Sequence, residues 1–207
     1  MLMRLRSVLV AIGLSVALTL PAAGDDRTEE YVRSNAKDVL MALNDPVLDA
    51  AGRRAAFQAY MDEFTNIDAV SRFVIGKYAR RFSDEELAAY QAAFRRYALA
   101  VYEYYFNEYK GQDVWVTGST DRNPRDSIVD TKILRGDGRE MDVRWRVLLR
   151  GDAYQVVDVA LNADGNLIWL AIEQQAQFLS ILDQANGSAE ALVQKIEAMT
   201  ADMMAPS

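Results

Sequence analysis

The chain has 207 residues, 51% of them apolar, with 30 acidic against 23 basic side chains for a formal charge of −7. That is one ordinary domain with enough apolar material for a real core, and the charge has the wrong sign for a polyanion, so no nucleic-acid partner is expected. Histidine and cysteine are both absent, which removes imidazole bases, Ser-His-Asp and Cys-His mechanisms, disulfides, thiolate metal sites and a lipid-modified N-terminal Cys; no metal or cofactor is expected.

In chain order the first segment reads as an address. Arg4 and Arg6 precede the apolar run Val8 to Leu20, which Pro21 closes and the small residues Ala22-Ala23-Gly24 follow. A basic start, a short apolar stretch and a small-residue end make a cleavable export signal. The run is shorter than the roughly 20 apolar residues of a membrane-spanning helix; an uncleaved anchor is the other reading. Removing residues 1–24 deletes two Arg and no acid, leaving residues 25–207 as a single domain with 21 basic and 30 acidic side chains. A bacterial periplasm fits that layout.

Helical spacing begins at Thr28 and runs to Leu43, with Val32, Ala36, Val39, Leu40 and Leu43 on one face. Asn44-Asp45-Pro46 ends it. A second helix is predicted from about Val47 to Phe64, with Phe57, Tyr60, Met61 and Phe64 on one side, and a short third from Asp68 to Arg80. Ser83-Asp84-Glu85-Glu86 is a capping box. It opens a long helix running to Lys110, stopped by Gly111, with eight aromatics between Tyr90 and Tyr109.

The period then changes to two. Strands are predicted over Val114 to Thr120, Ser127 to Leu134, Glu140 to Arg150 and Tyr154 to Leu161, joined by turn residues at Asn123-Pro124, Gly136-Asp137-Gly138 and Gly151-Asp152. Short sequential connections imply an antiparallel sheet. The third strand has Met141, Val143, Trp145, Val147 and Leu149 on one face and Asp142, Arg144, Arg146 and Arg150 on the other, so one face is covered and one is wet. In the fourth, strict alternation puts Val156 on one face and Val157, Val159 and Leu161 on the other. Leu167 to Ala185 returns to helix, Asn186-Gly187 ends that, and Ser188 caps a last helix to about Met203. Helices before and after a four-stranded antiparallel sheet make an α+β domain.

Candidates for chemistry are few. Asp130 and Asp158 lie inside strands; a carboxylate facing an apolar cavity has its pKa raised and can act as a general base, whereas one bonded to backbone or Arg is structural. The Arg144, Arg146 and Arg150 row either holds a phosphate or makes cross-strand ion pairs. The surplus of large apolar side chains on the aromatic helix, the third strand and the helix from Leu167 fits either a dense core or a hollow for a long apolar ligand.

At this point a resemblance enters. Phe57 through Ile67, Val70 through Tyr78, Ser83-Asp84-Glu85-Glu86-Leu87, Phe94 through Tyr109, Tyr154-Gln155-Val156-Val157-Asp158-Val159, and Phe178 with Gly187 through Ile196 resemble the MlaC / toluene-tolerance family of periplasmic phospholipid-binding proteins. Two stretches depart from the family's pattern: Asn162 through Leu167 stands where Glu-Gly-Val-Ser-Leu is usual, and Gln174-Gln175 lies near a usual Tyr-Arg pair.

The resemblance implies an NTF2-like cone whose four-stranded sheet is covered by N- and C-terminal helices. It implies a monomeric carrier, not an enzyme, that buries phospholipid acyl chains. Such a carrier passes lipid between an inner-membrane MCE-type ABC transporter complex and an outer-membrane lipoprotein complex, maintaining outer-membrane lipid asymmetry. A hopanoid-pathway carrier is a variant of the reading, and a cone-fold isomerase or hydrolase using Asp130 or Asp158 is its rival. The residues expected to line the cavity are Phe73, Tyr78, Phe94, Tyr97, Val101 and Tyr105 from the helices, Trp145, Val147 and Val156 from the sheet, and Trp169 and Ile172 behind it.

Overall fold

The computed structural model describes residues 26–108, 113–134, 138–163 and 165–205. The export signal expected over residues 1–24 lies outside them, as do Lys110, Gly111 and Gly136-Asp137. In order, the described elements are α1 (Asp26–Leu43), α2 (Ala50–Phe64), α3 (Ile67–Val74), a 3-10 turn (Gly76–Arg80), α4 (Asp84–Glu108), β1 (Asp113–Asn123), β2 (Asp126–Leu134), β3 (Glu140–Arg150), β4 (Ala153–Ala163), β5 (Asn166–Trp169), α5 (Leu170–Gln184) and α6 (Ala189–Met204). The strands form one antiparallel meander, β1-β2-β3-β4-β5. No helix among the described residues is long and apolar enough to cross a membrane.

Side-chain caps decide where the helices start. Asp49 Oδ1 accepts the Gly52 amide at 2.7 Å, so α2 begins after Val47, which stays 88% exposed. Asn66 Oδ1 accepts the Ala69 amide at 2.9 Å and opens α3. The single helix expected from Asp68 to Arg80 is two pieces, because Gly76 has φ +49, a left-handed conformation that ends an α-helix. The capping box forms as read: the Ser83 amide donates to Glu86 Oε2 at 2.8 Å and the Glu86 amide to Ser83 Oγ at 3.2 Å.

The sheet departs from expectation in two places. It has five strands, not four: Asn166–Trp169, of which Leu167 to Trp169 were expected as the first turn of a helix, pairs with β4 so that Leu161 faces Ile168 and Ala160 faces Trp169. The turn is closed by the Gly165 amide on Asn162 Oδ1 at 2.9 Å, and Ile168 and Trp169 suit a strand. The second departure is a bulge. Arg146 pairs with Asp158 and Val147 with Val156, which leaves Val157 without an opposite number. One extra residue resets the alternation beyond it, so Val156 joins Val159 and Leu161 on the buried face and Asp158 turns to the other.

α1 lies against β1 and β2, α5 against β4, and α4 along α6. Much of the interior is solid. Rings of Tyr90, Phe94 and Tyr97 surround Phe178 at centroid distances of 6.5, 6.1 and 5.9 Å. The α5–α6 corner is a left-handed cap in which the Gly187 amide donates to the Leu182 carbonyl at 2.7 Å, and a Cβ on Gly187 would sit 2.9 Å from the Tyr78 ring.

Candidate functional site: paired apolar crevices

The inner face of β3 and β4 is not completely filled. One narrow crevice, with a free volume of about 40 Å3, lies beyond the ring cluster. Its helical wall is the α4 stripe Phe94, Tyr97, Ala98 and Val101, residues three and four apart that share one face. The α2–α3 corner (Thr65, Ile67, Val70) and the start of α5 (Leu170, Ala171, Gln174) complete it around the β4 bulge. A second crevice, with a free volume of about 30 Å3, runs between α1 (Val32, Ala36, Val39), α2 (Phe57, Met61, Phe64) and the sheet residues Trp145 and Val159. Both walls are overwhelmingly apolar.

Thr65 and Val156 border both crevices and form an isolated parallel bridge with each other. That contact is the partition between them. Each crevice also holds one buried polar atom without a hydrogen-bond partner among the described residues, Gln174 Oε1 in the first and Asn35 Nδ2 in the second. Leaving such an atom orphaned costs about 1–3 kcal/mol. A third recess, roomier at about 180 Å3 and open to the outside, is lined by Val70 and Phe73 of α3, by Arg146, Leu148 and Arg150 of β3, and by Val157 and Asp158. It shares Val70, Val157 and Asp158 with the first crevice.

Asp158 stands at that junction. Its Oδ1 accepts the Val159 amide and the Ala171 amide, both at 2.8 Å, so a strand residue caps the first turn of α5. Burial pushes its carboxyl up from its ordinary 3.8 to about 6, against the lowering pull of those two amides and of Arg146. Asp130 is different. It pairs with Arg144 at 2.6 Å on the outer face and borders neither crevice.

Of the residues expected to line a cavity, Phe94, Tyr97 and Val101 meet in the first crevice, Trp145 in the second, and Val156 in both. Trp145 is fixed by its Nε1 donating to Thr131 Oγ1 at 2.8 Å. Phe73 is 45% exposed and belongs to the outer recess. Val147 is buried in the closed part of the core, and Ile172 is 51% exposed on α5. Trp169 is the last residue of β5, half-buried. Tyr78 packs at the α5–α6 corner with its hydroxyl donating to Asp183 at 2.6 Å. The Tyr105 side chain lies outside the described residues. The α1 and α2 walls were legible as apolar faces but not as cavity walls, and Gln174 gives no sequence signal.

A family model described as MlaC protein matches residues 33–198. No curated protein matches the chain. Among solved structures, a phospholipid-binding protein from Ralstonia solanacearum in complex with a phospholipid is similar, with a TM-score of 0.70 and 18% identity over 86% of this chain and 98% of that one. At that identity the likeness is one of fold. The family match runs from within α1 to within α6, and the chain belongs to the MlaC family.

Proposed function

We propose that the chain is a periplasmic phospholipid carrier whose crevices receive the acyl tails inside an NTF2-like cone. In this reading it shuttles lipid between an inner-membrane MCE-type ABC transporter complex and an outer-membrane lipoprotein complex, and so maintains outer-membrane lipid asymmetry. The observation that carries the reading is the pair of apolar crevices meeting at Thr65 and Val156, an arrangement suited to two tails leaving one head. Family membership supports it, as does the phospholipid bound in the Ralstonia solanacearum structure of the same fold.

Carriage requires shelter rather than bond chemistry. At about 0.8 kcal/mol per buried CH2, hiding two chains of about fifteen methylenes amounts to roughly 24 kcal/mol relative to water. The candidate bases are otherwise engaged, Asp130 with Arg144 and Asp158 with two amides, which favours carriage over proton transfer.

The test is solvent extraction of the purified protein followed by mass spectrometry, with Val101→Trp as the variant that fills the first crevice. We expect phospholipid from the wild type and a several-fold smaller amount from the variant at unchanged secondary structure. A wild-type extract without lipid, or a Val101→Trp extract with undiminished lipid, would refute the reading.

A further inference from the structure

The arginines on the outer face of β3 are not alike. Arg144 is paired with Asp130, and Arg146 with Asp126, its Nε on Oδ1 at 3.1 Å and its Nη2 on Oδ2 at 2.9 Å. Arg150 is exposed and has no carboxylate partner among the described residues. It lines the outer recess together with Arg146, which keeps N–H donors beyond the two that Asp126 takes.

The recess has a second property. Val70, Val157 and Asp158 line both the recess and the first apolar crevice, so a recess carrying two guanidinium groups lies directly against a greasy slot. Asp158 Oδ1 accepts the amides of Val159 and Ala171, and its carboxyl acts electrostatically on Arg146, which is also paired with Asp126. Arg150 is therefore the cation of the recess with no carboxylate partner among the described residues. A ligand matching both parts is anionic at one end and apolar at the other, and the planar fork of a guanidinium matches phosphate oxygens.

We infer that the outer recess is a head-group site in which Arg150, assisted by Arg146, binds the phosphate of a lipid whose tail lies in the first crevice. The inference rests on the carrier reading and goes beyond it by assigning the head group's place and charge.

The experiment uses the protein purified after expression of the whole 207-residue sequence, and measures retention of phosphatidylglycerol and of diacylglycerol with identical tails, both offered from vesicles. Arg150→Gln should weaken phosphatidylglycerol retention about tenfold and leave diacylglycerol unchanged. Arg150→Lys should recover part of the loss, and Arg144→Gln, whose side chain does not line the recess, should behave as wild type. Equal losses for both lipids, or none for either, would overturn the head-group site while the carrier reading stands. Wild-type protein that retains neither lipid would remove the carrier reading and this inference with it. Inorganic phosphate supplies the remaining arm: if it binds in an Arg150-dependent way while phosphatidylglycerol retention ignores Arg150, the recess takes a free anion and the lipid assignment is wrong.

Discussion

Asp158→Asn tests whether the junction between crevice and recess is dry. The carboxyl is buried, and its pKa lies near 6 in the fold against 3.8 for a free aspartate. The folded protein therefore binds the Asp158 proton more tightly than the unfolded chain does. Stability from this group is fully present below about pH 4, declines as pH rises toward 6 and is flat above that. Integrating between about pH 4.5 and about pH 7.5 gives a loss of roughly 2 kcal/mol. Asparagine presents the same Oδ1 to the Val159 and Ala171 amides with no charge to desolvate. It gives up the attraction of a carboxylate for the α5 N-terminus, about 0.3–1 kcal/mol. The assay is urea unfolding of both proteins across that pH range. The other carboxylates, Asp126 with its two Arg partners among them, titrate in both proteins and cancel in the difference. Relative to wild type, Asp158→Asn should gain roughly 2 kcal/mol on going from the acidic to the neutral end. Parallel pH curves would mean that Asp158 is solvated and the junction wet. A uniform loss of several kcal/mol would mean that its charge on the helix outweighs its burial.

Three further substitutions read other parts of the argument. Val147→Trp overpacks the closed core, since Val147 is 1% exposed and borders no crevice, and should cost about 1–3 kcal/mol by chemical denaturation; Val101→Trp has open space to enter and should cost less. Gly187→Ala places a methyl group against the Tyr78 ring at a φ of +81 and should cost about 1–3 kcal/mol, lowering the melting temperature by several degrees. Ser83→Ala removes the hydroxyl that accepts the Glu86 amide and should cost about 1 kcal/mol, with no change in lipid content.

Features set by near neighbours in the chain were legible before the structure. The Val32, Ala36, Val39 stripe, the Ser83–Glu86 box, the two faces of β3 and the Asn186-Gly187 stop all stand where local rules put them. What failed depended on how one element pairs with another. Strict alternation misplaced Val156 because the bulge exists only in the pairing of β4 with β3, and Leu167 to Trp169 looked helical until β4 offered them an edge. The α5 start is the sharpest case, because its cap is Asp158 on a strand rather than the residue before the helix. For the site, Phe94, Tyr97 and Val101 share a helical face that periodicity finds, but periodicity carries no distance. It could not tell that Phe94 and Tyr97, which close on Phe178, also border a crevice, while Tyr90, on the same ring cluster, does not.

Those magnitudes also bear on how a carrier with narrow crevices would fill. Thr65 is the C-terminal cap of α2 in extended backbone, and Val156, paired with Val147, sits beside the bulge, so the partition joins a helix cap to the edge of an irregularity in the sheet. Such a bridge is worth at most one or two backbone hydrogen bonds, about 0.5–1.5 kcal/mol each. A single entering chain of about fifteen methylenes brings roughly 12 kcal/mol. The second term wins by several-fold, so tails can part the α2–α3 corner from β4 and join the two crevices. In the proposed carrier the same difference holds the lipid in place, and the corner closes only when the tails are offered another apolar path.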